Sequence, residues 1–143
     1  MEQIMPLMKE YLSQGKPVTF APRGISMKPM LRPGTDKVVL ERPKGSLTKY
    51  DIPLYKRDDG SYVLHRVIKV GDTYTCIGDN QFEKEYGIRY DQIIAVVTGF
   101  YRDEKFYSTK NIGYILYSRL WHYSRFARYL CLRALRGIRR KLR

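Results

Sequence analysis

Short runs of alternating apolar and polar residues fill most of the chain, and turn residues separate these runs. The runs predict strands at residues 18–20, 37–40, 52–56, 61–70, 73–77 and 91–101. Asp59-Gly60 and Gly71-Asp72 predict tight turns between neighbouring strands. Pro53 has no N–H to donate, so it predicts an edge position or a bulge for the third strand. The pattern predicts a mainly β fold, a coiled sheet or partly open barrel, and not a parallel α/β fold.

Helical spacing of apolar residues is found near both ends of the chain. Residues 2–14 predict a short amphipathic helix that ends at Gly15. Its apolar positions are Ile4, Met8, Tyr11 and Leu12. From residue 111 onward, apolar residues recur every three or four positions with arginines on the opposite side. This pattern predicts a basic amphipathic helix with a break near Gly137.

Two polar segments separate these elements. Residues 78–86 predict a loop, and residues 103–110 predict a linker. The chain is therefore expected to consist of a body, residues 1–109, and a helical tail, residues 110–143.

The positive charge is concentrated in that tail. The net charge of the 143-residue chain is +13, and residues 110–143 contain ten Lys or Arg and no acidic residue. An anionic phospholipid surface is one expected partner, and a packed helix with a solvated basic face is the simpler alternative. Nucleic acid is the least expected partner, because the sequence contains no known reader motif. The arginines expected to bind an anionic surface are Arg119, Arg125, Arg128, Arg136, Arg139 and Arg140.

Several classes of protein are not expected. The N-terminus lacks the pattern of a secretory signal, and no apolar run reaches the length of a membrane span. A cytoplasmic or peripherally membrane-associated protein is therefore expected. Cys76 and Cys131 have neither metal-ligand spacing nor a disulfide framework, so we expect two free thiols, no metal and no cofactor.

One segment points to chemistry. Residues 23–34, RGISMKPMLRPG, are rich in glycine and proline and poor in acidic residues. Prolines without ladder donors exclude an ordinary strand and predict a rigid, irregular backbone. Such a backbone can hold the hydroxyl of Ser26 at a fixed point, which makes Ser26 a candidate nucleophile.

A candidate base lies in the predicted strand 61–70. Strand alternation places His65 on the same face as Val63 and Val67. A histidine on an apolar strand face can be a packed core residue or a general base. The pattern of this strand alone does not decide between the two roles.

Three sequence boxes, in order, resemble those of the signal peptidase and LexA-type serine proteases. They are GISMKPMLRPG with Asp36 two residues later, LHRVIKVGD from residue 64, and Gly78-Asp79-Asn80. Histidine at the position of the base is similar to the Ser/His subclass of the endoplasmic reticulum, archaea and some spore-forming bacteria. The resemblance implies the coiled β fold of that superfamily.

The resemblance also implies roles for individual residues. Ser26 would be the nucleophile and His65 the base, with Asp79 as the third member and Glu83 or Glu85 as alternatives to it. The frame of the site would consist of Gly24, Met27, Pro29 and Asp36, with Met30 as a further wall of the pocket. Gly24 stands where bacterial signal peptidases often carry a side-chain donor, so backbone N–H groups near Ser26 would have to stabilise the oxyanion.

The implied function is a serine endopeptidase that cleaves a peptide or leader segment with small residues on the acyl side. Its partners would be a peptide or protein substrate and the anionic surface described above. The chain departs from these families because residues 1–25 contain no membrane span and no Ala-Gly or Cys-Gly self-cleavage dipeptide. A non-catalytic module that binds peptide, membrane or nucleic acid is therefore the alternative function.

Overall fold

Two antiparallel sheets form the body of the computed structural model, which describes residues 1–141. Its strands are β1 (Val18–Phe20), β2 (Lys37–Glu41), β3 (Pro53–Lys56), β4 (Tyr62–Leu64), β5 (Arg66–Val70), β6 (Tyr74–Ile77), β7 (Glu85–Ile88), β8 (Ile93–Arg102) and β9 (Lys105–Ser108). Its helices are α1 (Met5–Ser13), α2 (Ile112–Tyr123) and α3 (Arg125–Lys141). The mainly β prediction is confirmed, and the sheets do not close into a barrel within residues 1–141.

The larger sheet is built around β8. On one side β8 pairs with β2, which pairs in turn with β1. On the other side its first half pairs with β3 and its second half with β9, and β4 extends the sheet beyond β3. The smaller sheet has the order β5-β6-β7. Both sheets are antiparallel, as the short turns between successive strands require.

Two apolar clusters hold these layers together. The first lies between the larger sheet, α1 and α2, and includes Leu12, Leu54 and Tyr114. The second lies where the two sheets meet, and it joins Tyr55 and Val63 of one sheet to residues of the other. The second cluster also buries Cys76, whereas Cys131 is exposed and both thiols are free.

The predicted strand 61–70 is divided at His65. Residues before His65 form β4 in the larger sheet, and residues after it form β5 in the smaller sheet. The prediction of one continuous strand is therefore wrong. Alternation nevertheless persists through the break, because Val63 and Val67 both contribute to the second cluster. His65 thus lies at the point where the chain crosses between sheets.

Two strands lie in segments that sequence polarity predicted as irregular. Strand β7 occupies part of the predicted loop 78–86, and β9 occupies the predicted linker 103–110. Both are edge strands whose formation depends on pairing with β6 and β8. An edge strand of this kind has little alternation of apolar and polar residues to detect in sequence. It forms because the neighbouring strand provides its backbone hydrogen bonds.

Pro53 does not place β3 at an edge. Strand β3 lies between β4 and β8, so that half of the prediction is wrong. Pro53 is the first residue of the strand, where a missing N–H interrupts little of the ladder. The predicted bulge is present, because the register with β8 shifts between Leu54 and Tyr55.

Helix α1 begins later than predicted and turns a slightly different face inward. Met5, Met8 and Leu12 are buried, whereas the predicted core residues Ile4 and Tyr11 are about half exposed. The prediction that the helix ends at Gly15 agrees with the structure, because Gly15 follows the last turn with a left-handed φ of 72°.

The tail is two helices, not one helix broken near Gly137. The break lies at Ser124, whose hydroxyl donates to the Trp121 carbonyl at 3.2 Å, and α3 continues through Gly137. Helix α2 packs on the body through Tyr114 and Ser118, whereas every residue from Tyr129 to Arg140 is exposed. The first half of the predicted tail, residues 110–143, therefore packs on the body. No helix within residues 1–141 is long and apolar enough to cross a membrane.

A buried carboxylate fastens the end of the segment that carries Ser26. The carboxylate of Asp36 has no exposed surface and accepts hydrogen bonds from the guanidinium groups of Arg32 and Arg102. Burial acts to raise the pKa of Asp36, but the hydrogen bonds from Arg32 and Arg102 bring it below its usual value. Arg32 also pairs with Asp103, whose side chain is 74% exposed.

We predict that Asp36→Asn destabilises the protein by about 2 kcal/mol, because a neutral amide in this fully buried position can no longer accept the charged hydrogen bonds of Arg32 and Arg102 through two oxygens. Asp103→Asn is the matched control and should cost less than about 1 kcal/mol, because exposed ion pairs contribute little. Urea denaturation of both variants measures the difference. Equal costs would contradict the role of Asp36 as the buried anchor.

Candidate active site

The segment of residues 21–36 is irregular, as its prolines predicted. The Gly34 N–H donates to the Pro22 carbonyl at 2.7 Å and so ties the two ends of the segment together. Within the segment, Ser26 is half-buried and the neighbouring Met27 side chain is buried. The serine is therefore presented by a closed loop and not by a helix or strand.

The Gly78-Asp79-Asn80 box contacts this loop directly. The backbone N–H of Asn80 donates to the Ser26 carbonyl at 2.8 Å, and the Asn80 side chain donates to the Ile25 carbonyl at 3.3 Å. A Cβ atom on Gly78 would lie 2.6 Å from the Ser26 carbonyl oxygen, which no side chain tolerates. Glycine is therefore required at residue 78 for the third box to approach the serine.

Ser26 and His65 line the same pocket, which has a volume of about 280 Å³. Apolar side chains form much of its wall, including Phe20, Met27 and Leu31. Within residues 1–141 no hydrogen bond joins Ser26 to His65, and the backbone N–H of Ser26 has no acceptor. The pocket thus brings Ser26, which carries a hydroxyl, and His65, which carries an imidazole, to the same space.

The group that contacts His65 is Glu85. A carboxylate oxygen of Glu85 lies 3.0 Å from His65 Nδ1, and the Tyr55 hydroxyl lies 3.4 Å from the same nitrogen. Arg57 holds the Glu85 carboxylate through both oxygens, with Nε at 2.9 Å from Oε2 and Nη2 in contact with Oε1. Because Nδ1 is engaged in this way, Nε2 is the ring nitrogen left for the pocket.

The surroundings favour the neutral form of His65. Burial lowers the pKa of His65, and the Arg57 charge lowers it further, whereas the Glu85 charge opposes both effects. Burial acts to raise the pKa of Glu85, but hydrogen bonds from Arg57 and Tyr55 bring it below its usual value. The arrangement is a neutral imidazole beside an ionised carboxylate, which is the state a general base requires.

Asp79 does not contact His65. Its carboxylate is fully buried and accepts two hydrogen bonds from Arg66, from Nε at 2.8 Å and from Nη2 at 2.7 Å. The assignment of Asp79 as the partner of His65 is therefore not supported by the geometry, and Glu85, its sequence alternative, occupies that place. The physical reason is that Arg66, a residue of the second box, attracts the carboxylate of the third.

The remaining frame residues lie in three places. Gly24 lines the pocket with open space where a side chain would project. Pro29 and Met30 line a different cavity beside α2, so the prediction that they wall the serine pocket is wrong. Glu83 is exposed and makes no hydrogen bond within residues 1–141. Asp36 does not line the pocket, and its carboxylate accepts hydrogen bonds from Arg32 and Arg102.

Sequence reasoning missed Arg57, Tyr55 and the role of Arg66. The alternation pattern places Tyr55 in the predicted strand 52–56 and leaves Arg57 between that strand and the Asp59-Gly60 turn. Nothing local in the sequence connects either residue to His65, because the contact depends on β7 pairing beside β6. Arg66 could have been noted, since it directly follows the histidine in the second box.

The six tail arginines fall into two groups. Arg119 lies over the Tyr50 ring of the body, whereas Arg125 and Arg128 contact α2. The Arg128 guanidinium is 3.6 Å from the centre of the Trp121 ring. The other three, Arg136, Arg139 and Arg140, are exposed on α3. Only this second group is free to meet a large anionic surface without rearrangement.

Comparison with known proteins adds no assignment. No protein-family model matches the chain, and no curated protein matches its sequence. Within residues 1–141, no group of three or more His, Cys, Asp or Glu side chains is arranged to hold a metal ion. The candidate site therefore rests on its own geometry and on the three boxes.

We predict that the pKa of His65 lies below the usual 6.5 and that Arg57→Gln raises it, because the substitution removes a neighbouring positive charge and leaves the Glu85 charge in place. Proton NMR titration of the imidazole ring measures this pKa. The other histidine, His122, serves as an internal reference, because burial and nearby cations lower its pKa to about 4.

Arg89→Gln is the control, because Arg89 pairs with the exposed carboxylates of Asp58 and Asp91 and not with Glu85. It should leave the titration of His65 unchanged. A His65 pKa that does not respond to Arg57→Gln would contradict the proposed electrostatic environment.

Proposed function

We propose that the chain is a serine endopeptidase in which Ser26 is the nucleophile, His65 the general base and Glu85 the carboxylate that orients His65. The single observation that carries the proposal is the convergence of Ser26 and His65 on one pocket, with Glu85 on the far nitrogen of the imidazole. The resemblance of the three boxes to signal peptidases of the Ser/His subclass supports the same roles and the coiled β fold of that superfamily.

The proposed reaction proceeds through an ester on Ser26. The Ser26 hydroxyl oxygen attacks the carbonyl carbon of the scissile bond while His65 Nε2 accepts the hydroxyl proton. The oxyanion is stabilised by backbone N–H groups at Ser26 and its neighbours. The C–N bond then breaks, and His65 returns the proton to the leaving amine. Water activated by His65 hydrolyses the ester, which releases a new carboxyl terminus and restores the serine.

Glu85 replaces Asp79 as the third member in this mechanism. A carboxylate on Nδ1 fixes the tautomer that leaves Nε2 free to accept a proton, and it stabilises the imidazolium that forms. Arg57 keeps Glu85 ionised and in place, since it donates to both carboxylate oxygens. A glutamate presented by an edge strand thus performs the task that the resemblance had assigned to the third box.

The pocket indicates the class of substrate. Its volume of about 280 Å³ and the apolar part of its wall can take a small uncharged side chain beside the scissile bond, while Arg23, Arg57 and Gln81 belong to the polar part. This agrees with the preference for small residues on the acyl side that the resemblance to signal peptidases implies. The proposed substrate is therefore a peptide or leader segment cleaved after a small residue.

We predict that Ser26→Ala and His65→Ala abolish cleavage of leader-type peptides, and that Glu85→Gln lowers the rate roughly 10²- to 10⁴-fold because the imidazole loses its orienting charge. Glu83→Gln is the matched control and should leave the rate unchanged, because Glu83 is exposed and lies outside the site. Cleavage is followed by mass spectrometry of the peptide products.

The alternative is a non-catalytic binding module with a protease-like fold. The lack of a hydrogen bond between Ser26 and His65 is the observation in its favour. A serine-reactive fluorophosphonate separates the two proposals. Labelling of Ser26 that requires His65 supports the peptidase, whereas peptide binding without labelling supports the module.

We further propose that α3 binds an anionic phospholipid surface and makes the enzyme a peripheral membrane protein. One side of the helix is apolar and exposed, with Leu130 at 47%, Leu135 at 55% and Ile138 at 54% exposure. The other side is basic, and the sequence after Glu104 contains no acidic residue. A second copy of the chain fits this helix poorly, since its own α3 would bring like charges together.

We predict that replacing four exposed arginines of α3 by glutamine weakens binding to phosphatidylglycerol vesicles at least about 100-fold, since each basic residue near such a surface contributes about 1 kcal/mol. The residues are Arg133, Arg136, Arg139 and Arg140. Vesicle co-sedimentation measures the affinity, with phosphatidylcholine vesicles as the neutral surface.

The matched control removes four exposed lysines from the body, which changes the net charge equally. These are Lys9, Lys37, Lys44 and Lys69. Equal weakening by both sets would show that total charge, and not α3, determines binding. Affinity for a DNA duplex without affinity for vesicles would favour the nucleic-acid alternative.

A further inference from the structure

Helix α2 contacts the third box at a buried residue. We infer that Tyr117 and Trp121 of α2 are positioning residues, which hold Ser26 and His65 in place through Asp79; this inference rests on the peptidase function proposed above. The Tyr117 hydroxyl donates to an Asp79 carboxylate oxygen at 3.0 Å, and Trp121 Nε1 donates to the Asp79 backbone carbonyl at 2.8 Å. Asp79 is therefore held at both its side chain and its backbone by one helix.

The first route from Asp79 leads to His65. The Asp79 carboxylate forms a bidentate pair with Arg66, the residue that directly follows His65. Helix α2 also reaches Arg66 without Asp79, because Arg66 Nη1 donates to the Tyr114 hydroxyl at 2.7 Å. Arg66 is almost wholly buried and begins β5 directly after His65, so its side-chain contacts anchor the chain beside the crossing between the two sheets.

The second route leads to Ser26. Asp79 stands between Gly78 and Asn80, and both of these residues touch the Ser26 backbone. The Asn80 N–H fixes the Ser26 carbonyl at 2.8 Å, and Gly78 allows the close approach. The Asp79 backbone that Trp121 holds is thus one residue away from each of the contacts that locate the nucleophile.

Both routes pass through Asp79, although Arg66 also contacts Met30 in the segment that carries Ser26. Ser26 belongs to an irregular loop and His65 to a break between strands, so neither residue is located by the regular part of a sheet ladder. Displacements on the order of 1 Å in the relative placement of reacting groups can cost about 10²-fold in rate. A helix that fixes Asp79 therefore fixes the geometry of the proposed pair.

The test uses the full chain, with Tyr117→Phe and Trp121→Phe as the variants. Each substitution removes one donor to Asp79 and keeps an aromatic ring in the same place. The measurement is inactivation by a peptidyl fluorophosphonate, which separates the maximal labelling rate of Ser26 from the affinity for the probe. We expect about a tenfold lower labelling rate with unchanged affinity.

Tyr129→Phe is the matched control. Tyr129 packs on Phe82, its side chain lies on α3, and its hydroxyl makes no hydrogen bond within residues 1–141. Its labelling rate should equal that of the unmodified chain. Circular dichroism verifies folding, and Tyr117→Phe alone decides the outcome if Trp121→Phe does not fold.

Three outcomes have different meanings. A lower melting temperature with an unchanged labelling rate would mean that α2 only stabilises the fold, and this overturns the inference. A weaker affinity with an unchanged maximal rate overturns it as well. An unmodified chain that is not labelled at Ser26 overturns the proposed peptidase function, and the inference falls with it.

Discussion

The buried ion pair between Arg66 and Asp79 constrains the geometry around the candidate site more than any other single contact. Two opposite charges without access to water are stable only when their remaining donors and acceptors are also satisfied. Here Tyr114 and the Tyr50 carbonyl accept from Arg66, while Tyr117 donates to Asp79. Removal of either charge would leave the other buried without a partner, at a cost of roughly 3–5 kcal/mol.

This pair joins three parts of the chain. Arg66 begins the smaller sheet, and Asp79 follows its second strand. Asp79 lies beside the loop that carries Ser26, and both charged residues contact α2. Loop, sheet and helix therefore share one polar centre, and its geometry cannot change in one element without a change in the others.

The site next to this centre separates its charges. Asp79 forms an ion pair with Arg66, while Glu85 forms an ion pair with Arg57 and also contacts the His65 imidazole. Each carboxylate thus has its own arginine, and the imidazole faces only one of them directly. Burial keeps His65 neutral, and the neighbouring carboxylate provides the charge that an imidazolium would need. Such a division of roles allows a base to operate in a partly buried pocket.

The local features of this protein follow from short stretches of its sequence. Prolines and glycines around Ser26 dictate an irregular loop, and alternation dictates most of the strands. The spacing of apolar residues and arginines dictates helical structure in the tail, because these signals arise within a few neighbouring residues. Tertiary structure decided which acid meets His65, since Glu85 reaches the histidine only through the pairing of β7, and Arg66 draws Asp79 away. It also decided where the tail helix breaks and which half of it packs, because burial of Tyr114 and Trp121 against Arg66 and Asp79 depends on partners far away in the sequence.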